Sequence, residues 1–269
     1  MKYLAVTLVT ALLALQAALY AAPLTPLPPS AAAREVGAVA EGPRLSVGLA
    51  ATSWGREDYD ETVDTLGVTF DSKVRPLVTA EYQLTPKWSV GGWYNPVAWD
   101  MVLRWDMPGG PVQGAVASFE GTGSMFELHG TMSLGNDFAV QAGVLHFNVD
   151  WEYQPGGQLD LSARNLEDKA TKIVLWGVKT FRMGAVENPP FALTVAAGLA
   201  QGLVGDYDSK FNPTTGAPAK VKTLTVNGLL GASYSFTPRW SADASLWLAD
   251  FNKEEERSVR LTAGVTGRF

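Results

Sequence analysis

The sequence predicts an all-β chain closed into a transmembrane antiparallel up-and-down β-barrel of about 10 strands, with 8 or 12 as the alternatives. Three observations predict it. First, strand-like runs of about ten or more residues alternate apolar and polar side chains; a tilted membrane strand needs about 9–11 residues, whereas globular strands average about five or six. Second, at intervals of roughly fifty residues such a run ends in a tight turn crowded by aromatics. Tyr82-Gln83-Leu84-Thr85-Pro86-Lys87-Trp88-Ser89 and Tyr234-Ser235-Phe236-Thr237-Pro238-Arg239-Trp240-Ser241 are close copies. Met132 to Phe138 and Phe181 to Phe191 are looser ones. Third, the last alternating run ends on Phe269. Short turns at one level, aromatic rings beside them and long two-faced strands are the signature of such a barrel.

Residues 1–21 read as a signal peptide: Lys2 gives the positive start, Leu4 to Leu15 the apolar stretch, and Ala17 to Ala22 the small residues for cleavage. The cut is placed after Ala21, because Pro23 would follow a cut after Ala22. The competing reading is an uncleaved anchor, but the apolar core is short for a span. Residues 22–43 form a flexible Pro/Ala-rich lead-in, and 44–269 form the barrel.

Within that barrel the first strand alternates Leu45, Val47 and Leu49 with Arg44, Ser46 and Gly48. An acidic loop, Gly55 to Asp64, follows. The second strand, Lys73 to Leu84, sets Val74, Val78, Ala80, Tyr82 and Leu84 against Arg75, Thr79, Glu81 and Gln83; Pro76 marks a position that cannot donate to the ladder. The third runs from Trp88 to about Asn95. The longest connection, Pro96 to Gly123, holds Trp99, Trp105 and the breakers Pro108-Gly109-Gly110-Pro111, and its alternating flanks also suit a hairpin projecting above the membrane.

The fourth strand, Ser124 to Leu134, is the cleanest: Phe126, Leu128, Met132 and Leu134 oppose Glu127, His129, Thr131 and Ser133. The fifth, Phe138 to Asp150, carries Val140, Ala142 and Val144 on its apolar face. The sixth, Thr171 to Arg182, places Val174, Trp176 and Val178 toward lipid if Lys179 turns inward. That orientation follows from the cost of a lysine on the lipid face, about 2–4 kcal/mol at mid-depth. The seventh, Phe191 to Val204, shows Phe191, Leu193, Val195, Ala197 and Leu199 outward. The eighth, Lys220 to Phe236, groups Leu224, Val226, Leu230, Ala232, Tyr234 and Phe236. The ninth spans Arg239 to Phe251. A charged loop, Lys253 to Arg257, precedes the tenth, where Val259, Leu261, Ala263, Val265 and Phe269 alternate with Ser258, Arg260, Thr262 and Arg268. An even count returns both ends to the periplasmic side.

Composition narrows the function classes. Apolar content is 46%, and no apolar run beyond the N-terminus reaches the roughly 18 residues of a membrane helix. The chain has no Cys, so it carries neither disulfides nor a lipid-modified cysteine. The formal charge of −6, or −7 once Lys2 is removed, comes without a basic cluster, and no nucleic-acid partner is expected. Two histidines without ligand spacing predict no metal site and no cofactor. Asp58, Asp60, Glu61 and Asp64 lack the glycine-bearing spacing of a calcium loop and read as a solvated surface.

Tyr82, Trp88, Phe138, Phe191, Tyr234, Phe236 and Trp240 lie beside the short turns, where a periplasmic girdle belongs. Tyr94, Trp99, Trp151, Tyr153, Trp247 and Phe251 form a second group assigned to the upper rim. With the signal peptide, the aromatic-x-Leu/Phe-Thr-Pro-Lys/Arg-Trp-Ser turns and the final strand Val259 to Phe269, the chain resembles small bacterial outer-membrane β-barrel proteins of the OmpA-like and OmpW-like class. The resemblance covers Arg44 to Phe269. It implies Phe269 as the recognition signal for the barrel assembly machinery, with outer-membrane lipids as the surroundings and a monomer as the working form.

The polar residues expected to face the lumen are Arg44, Arg75, Glu81, Glu127, His129, Lys179, Asp243 and Arg260. In a narrow barrel such charges are expected to pair across the interior, since an unpaired buried charge is costly; the other reading is a thin water-filled path for small solutes. Two enzyme types occur in barrels of this size. An omptin-like protease would use rim acids and a histidine, and His146, Asp150, Asp206 and Asp208 lie near strand tops, but the paired acidic motif with its histidine is missing. A lipid A deacylase would use a histidine and a serine; His129-Gly130-Thr131 offers Thr in place of Ser, on an inward face. The expectation is therefore no enzyme. It is a barrel with a structural or passive pore role, or else a non-conducting barrel whose outer segments, Trp99 and Trp105 among them, bind partners or lipids.

Overall fold

The computed structural model describes residues 43–268, apart from 55–56, 59–65, 107–112, 158–165, 184–190, 212–217, 221–223, 238 and 250–257. The signal peptide, nearly all of the lead-in and Phe269 thus lie outside the described residues, as do the acidic loop residues Asp60, Glu61 and Asp64. Among the described residues thirteen strands build ten staves. They are β1 (Pro43–Trp54), β2 (Glu57–Asp58), β3 (Leu66–Ser72), β4 (Arg75–Thr85), β5 (Trp88–Asp106), β6 (Gln113–Gly135), β7 (Phe138–Gln154), β8 (Leu166–Met183), β9 (Phe191–Phe211), β10 (Pro218–Lys220), β11 (Leu224–Thr237), β12 (Trp240–Ala249) and β13 (Ser258–Arg268). β3 and β4 are one stave interrupted at Lys73 and Val74, since both pair with β5. β10 and β11 likewise share β9 as partner, and β2 is a short addition to β3.

Every stave runs antiparallel to its neighbours, and β1 pairs with β4 on one side and β13 on the other, from Arg44 opposite Arg268 to Trp54 opposite Ser258. The sheet therefore closes on itself through its lower and middle parts, the condition for backbone polar groups to survive in lipid. The lower turns have a local cause. Thr85 Oγ1 accepts from the amides of Lys87 and Trp88 at 3.3 and 3.1 Å, and Thr237 Oγ1 accepts from Arg239 and Trp240 at 3.3 and 3.0 Å. The repeated Thr-Pro-basic-Trp sequence thus makes the same side-chain-bonded turn twice. The third turn solves the problem differently: Asn136 and Asp137 both take left-handed φ, 50° and 58°, as a tight two-residue hairpin demands.

Strand parity sorts the side chains into two environments. Leu45, Val47, Leu49, Val78, Leu84, Val90, Leu128, Val144, Ile173, Leu175, Val195, Leu199, Leu230, Leu248 and Val265 are exposed on the outside. Leu128 is 65% exposed, whereas Thr131 on the opposite face is 6% exposed. A wall of exposed aliphatic side chains around a closed sheet is a surface made for hydrocarbon, not water. The molecule is a membrane-spanning β-barrel. The seven aromatics expected in the lower girdle all sit at the turn ends, with Tyr82, Trp88, Phe138, Tyr234, Phe236 and Trp240 exposed and Phe191 half-buried.

One expectation is corrected, and another is narrowed to one of its two readings. The stave carrying Lys179 faces the other way: Val174, Trp176 and Val178 are buried inside, and Ile173, Leu175, Phe181 and Met183 are exposed. Lys179 therefore points outward. It stands opposite Phe138, beside the lower turn, donates to the Asn136 carbonyl and lies 5.7 Å from the centre of the Phe181 ring. At that depth the lipid-face penalty for lysine falls to about 0–1 kcal/mol, because the amine reaches the interface. Pro96 to Gly123 takes the hairpin reading and not the loop: β5 and β6 stay paired from Trp88–Met132 up to Asp106–Gln113, so 96–106 and 113–123 are the upper parts of two long strands, and 107–112 lie outside the described residues.

Candidate functional site in the barrel interior

The interior is stratified. Its lower tier is polar. Glu81, Gly91, His129 and Gly143 lie side by side on consecutive staves. The imidazole lies flat against the wall: a Cβ on Gly91 would stand 3.0 Å from His129 Nε2, and one on Gly143 would stand 2.8 Å from His129 Cβ. Only glycine leaves that room. Glu127, wholly buried, bonds His129 Nδ1 at 3.0 Å and accepts from Gln141 Nε2 at 2.8 Å. Ser89 donates to Glu81 at 2.5 Å, and Thr131 donates to Gln141 at 3.4 Å. Asp243 accepts from Thr266 at 2.6 Å and Ser241 at 3.4 Å. The second oxygens of Glu81 and Glu127 are buried without a hydrogen-bond partner.

Above this tier apolar side chains dominate the interior, with Lys172, Thr225, Asn227 and Asp168 also buried there, Asp168 accepting from Trp151 Nε1 at 2.9 Å. Trp93, Val97, Trp99, Met101, Phe119, Met125, Leu145, Phe147, Val149, Trp151, Val174, Trp176, Leu229 and Trp247 form one buried cluster. Two of the indoles are accommodated by glycines across the strand pair: Trp151 covers Gly121, and Trp176 covers Gly198. The Trp176 and Trp247 rings stand 6.3 Å apart, and those of Trp99 and Trp151 6.4 Å. Trp99, Trp151 and Trp247, expected at an upper aromatic rim, are thus interior residues. Their parity, not their height, decides this. Tyr94 does face outward, and Phe251 lies outside the described residues.

Arg260 enters this apolar tier. It is fully buried, and its side chain crosses from β13 to the staves β5 and β6, which are not its neighbours. There it donates to Asn95 Oδ1, lies 3.8 Å from Met125 Sδ, and places its guanidinium 5.8 Å from the centre of the Trp93 ring. Among the described residues no carboxylate reaches it. The expected ion pairing across the barrel is therefore replaced at Arg260 by a bond to an amide, a thioether and an aromatic face.

The remaining candidates fall as follows. Arg75 is half-buried on the same side of its stave as Glu81. Arg44 stands opposite Glu81 and Arg268 in register, and its side chain lies outside the described set. Among the enzyme candidates, His146 Nδ1 bonds Thr171 Oγ1 at 3.0 Å on the outer side of the barrel, near Phe126. His129 is engaged by Glu127 and Thr131 by Gln141, so the two do not form a nucleophile and base. Sequence reasoning missed Trp93, Asn95, Met125, Trp176 and Trp247 as the surroundings of Arg260. Parity could have placed Trp247 with Asp243 inside; the contacts themselves depend on cross-barrel register.

No family model matches the chain, and no curated protein matches it either. Similar solved structures include the outer membrane protease OmpT of Escherichia coli, at 13% identity over 87% of this chain and 100% of that one, with a TM-score of 0.45. The transport unit of the autotransporter AIDA-I of Escherichia coli matches at 8% identity over 88% and 92%, TM-score 0.48. An outer membrane channel of Pseudomonas putida matches at 14% identity over 91% and 100%, TM-score 0.43. At these levels no residue's role passes from them to this chain.

Proposed function

We propose that the protein is an outer-membrane barrel closed to bulk water across its middle, and that its long upper staves present a binding surface outside the membrane. One observation carries this reading. At mid-height the larger inward side chains are buried on most staves: Trp93, Asn95, Met125, Leu145, Val174, Trp176, Trp247 and Arg260, with Ala50, Ala200 and Asn227 buried beside them and Leu77, Thr79, Ser245 and Thr262 half-buried. A standing aqueous path would leave some of those larger side chains wet. Above them the apolar filling continues through Trp99, Met101, Phe119 and Trp151, which stiffens the projecting part of the barrel rather than opening it. The proposed role is non-catalytic, in line with the engagement of both histidines by Glu127 and Thr171. Export by the N-terminal signal, insertion through Phe269 and a monomer in outer-membrane lipid belong to the same proposal. The test is planar-bilayer recording on the refolded chain. A folded barrel that gives no steady single-channel steps supports the closed reading; uniform steps overturn it in favour of a small-solute pore.

A further inference from the structure

We propose that the middle of the barrel is a binding site for a small amphiphilic monoanion, a carboxylate carried on an apolar body. The argument begins with an imbalance of hydrogen-bonding groups. Arg260 brings five N–H donors and a positive charge into a fully buried position. What it meets is one amide oxygen, of Asn95, and the sulfur of Met125, a weak acceptor. Its Nε is left without an acceptor. The indole Nε1 atoms of Trp176 and Trp247 are also buried without one. Trp247 is the direct cross-strand partner of Arg260, and its ring is 6.3 Å from that of Trp176. Three unmet donors, one of them cationic, thus belong to neighbouring side chains of the interior.

Strand carbonyls do accept from side chains in this barrel, as Pro76 does from Asn95 and Ala200 from Thr225, but none accepts from these three donors, which leaves them open to a guest. A carboxylate answers all three at once: it neutralises the guanidinium, accepts two bonds in its plane and still has lone pairs for an indole N–H. The neighbours set the rest of the guest. Leu145, Phe147, Val174 and Leu229 offer apolar contact, and the buried polar side chains nearby, Lys172 opposite Leu145 and Asn227, are engaged already, so a strongly hydrated anion such as phosphate would regain little of its lost water. Met125, unbranched and flexible, is the contact most easily displaced. This site goes beyond the proposed closed barrel, since either can hold without the other.

The experiment is titration of the refolded full-length chain in detergent micelles with benzoate, and with benzamide as the uncharged control, followed by tryptophan fluorescence and calorimetry. Benzoate is expected to give a saturable response and benzamide none. Arg260→Met should abolish it, and Arg260→Lys should weaken it while keeping it measurable. Trp247→Phe, which keeps the ring and removes the N–H, should weaken binding by about tenfold, the value of one hydrogen bond to a charged group, and decides the matter if Arg260→Met does not fold. Equal responses to benzoate and benzamide, no saturable response, or undiminished benzoate binding by Arg260→Met or Trp247→Phe would overturn the site.

Discussion

At the scale of single residues, the direction a side chain faces decides what it costs. Leu128 meets lipid and Thr131 meets the interior, on one strand and three residues apart. Leu128→Arg is expected to lose about 2–4 kcal/mol of folding free energy, as for a basic residue at mid-depth. Thr131→Ser, which keeps the hydroxyl near Gln141, should stay within about 1 kcal/mol; reversible refolding into lipid bilayers measures both. Lys179 is the instructive misreading. Its charge argued for an inward face, yet depth outranked charge: beside the turn its amine reaches the Asn136 carbonyl. Lys179→Leu should therefore shift stability by no more than about 1 kcal/mol, while Leu175→Lys, four residues further from the turn, should cost about 2–4 kcal/mol. Sequence alternation gave the two faces of this strand correctly as sets, but which set met lipid hung on one lysine whose height was not legible.

At the scale of elements, strands here extend well past the membrane. Asp100 lies twelve residues above Trp88 on β5. At about 3.3 Å per residue and a tilt of 35–45° that is roughly 30 Å, above an apolar band of about 25 Å. Lys73, at the break between β3 and β4, ties this level together, bonding Glu120 at 2.7 Å and Asp100 at 3.0 Å. Its bonds to Glu120 and then Asp100 raise its amine above the ordinary lysine range, and the same contact holds the Glu120 carboxyl below the ordinary range. The signs set the window. Glu120 contributes above the ordinary carboxylate pKa and stops as pH falls through its lowered value. Lys73 contributes below the ordinary lysine pKa and stops as pH rises through its raised value. The protection factor of the Lys73 amide, which bonds the Ala98 carbonyl, should be flat between those limits and fall outside them; a fall near neutrality would contradict the tie. A second element-level device is the indole laid over glycine. A Cβ on Gly198 would stand 2.5 Å from the Trp176 ring and 2.8 Å from the Leu175 carbonyl, whereas one on Gly130 would meet nothing within 4 Å. Gly198→Ala should cost about 1–3 kcal/mol by overpacking and Gly130→Ala well under 1, both by denaturant titration. The turn chemistry was readable in advance, because Thr-Pro-basic-Trp is local. The upper halves of β5 and β6 were legible only as one of two readings, because their flanks alternate as a hairpin does while Pro108 to Pro111 equally suits a loop.

At the scale of the whole molecule, closure brings together residues that no linear pattern relates. Arg260 and Asn95 are 165 positions apart in the chain and bonded across the lumen. Their meeting depends on how far each strand is staggered against the next, and the amino-acid order carries the pairing of neighbours but not the accumulated stagger of ten staves. The strand count, the outer apolar coat and the turns were therefore legible, while the composition of the interior was not: a polar interior of paired charges was expected, whereas above the lower tier single polar groups such as Asp168, Lys172 and Asn227 are buried among apolar side chains. This division makes a prediction that concerns the barrel as one object. If the apolar tier seals the lumen, thinning it should create a conduit where none existed, and thinning the polar tier should not. Trp93 and Trp247 are two of the largest groups at the level of Arg260, on opposite arcs of the wall. Replacing both with alanine removes ring volume that the surrounding rigid sheet cannot collapse to fill, since the staves are fixed by their ladders. Bilayer recordings of Trp93→Ala/Trp247→Ala should show new ionic current, while Gln141→Ala in the lower tier should stay as silent as the native chain. Current from Gln141→Ala, or silence from a double variant whose fold is intact, would place the seal elsewhere along the barrel axis.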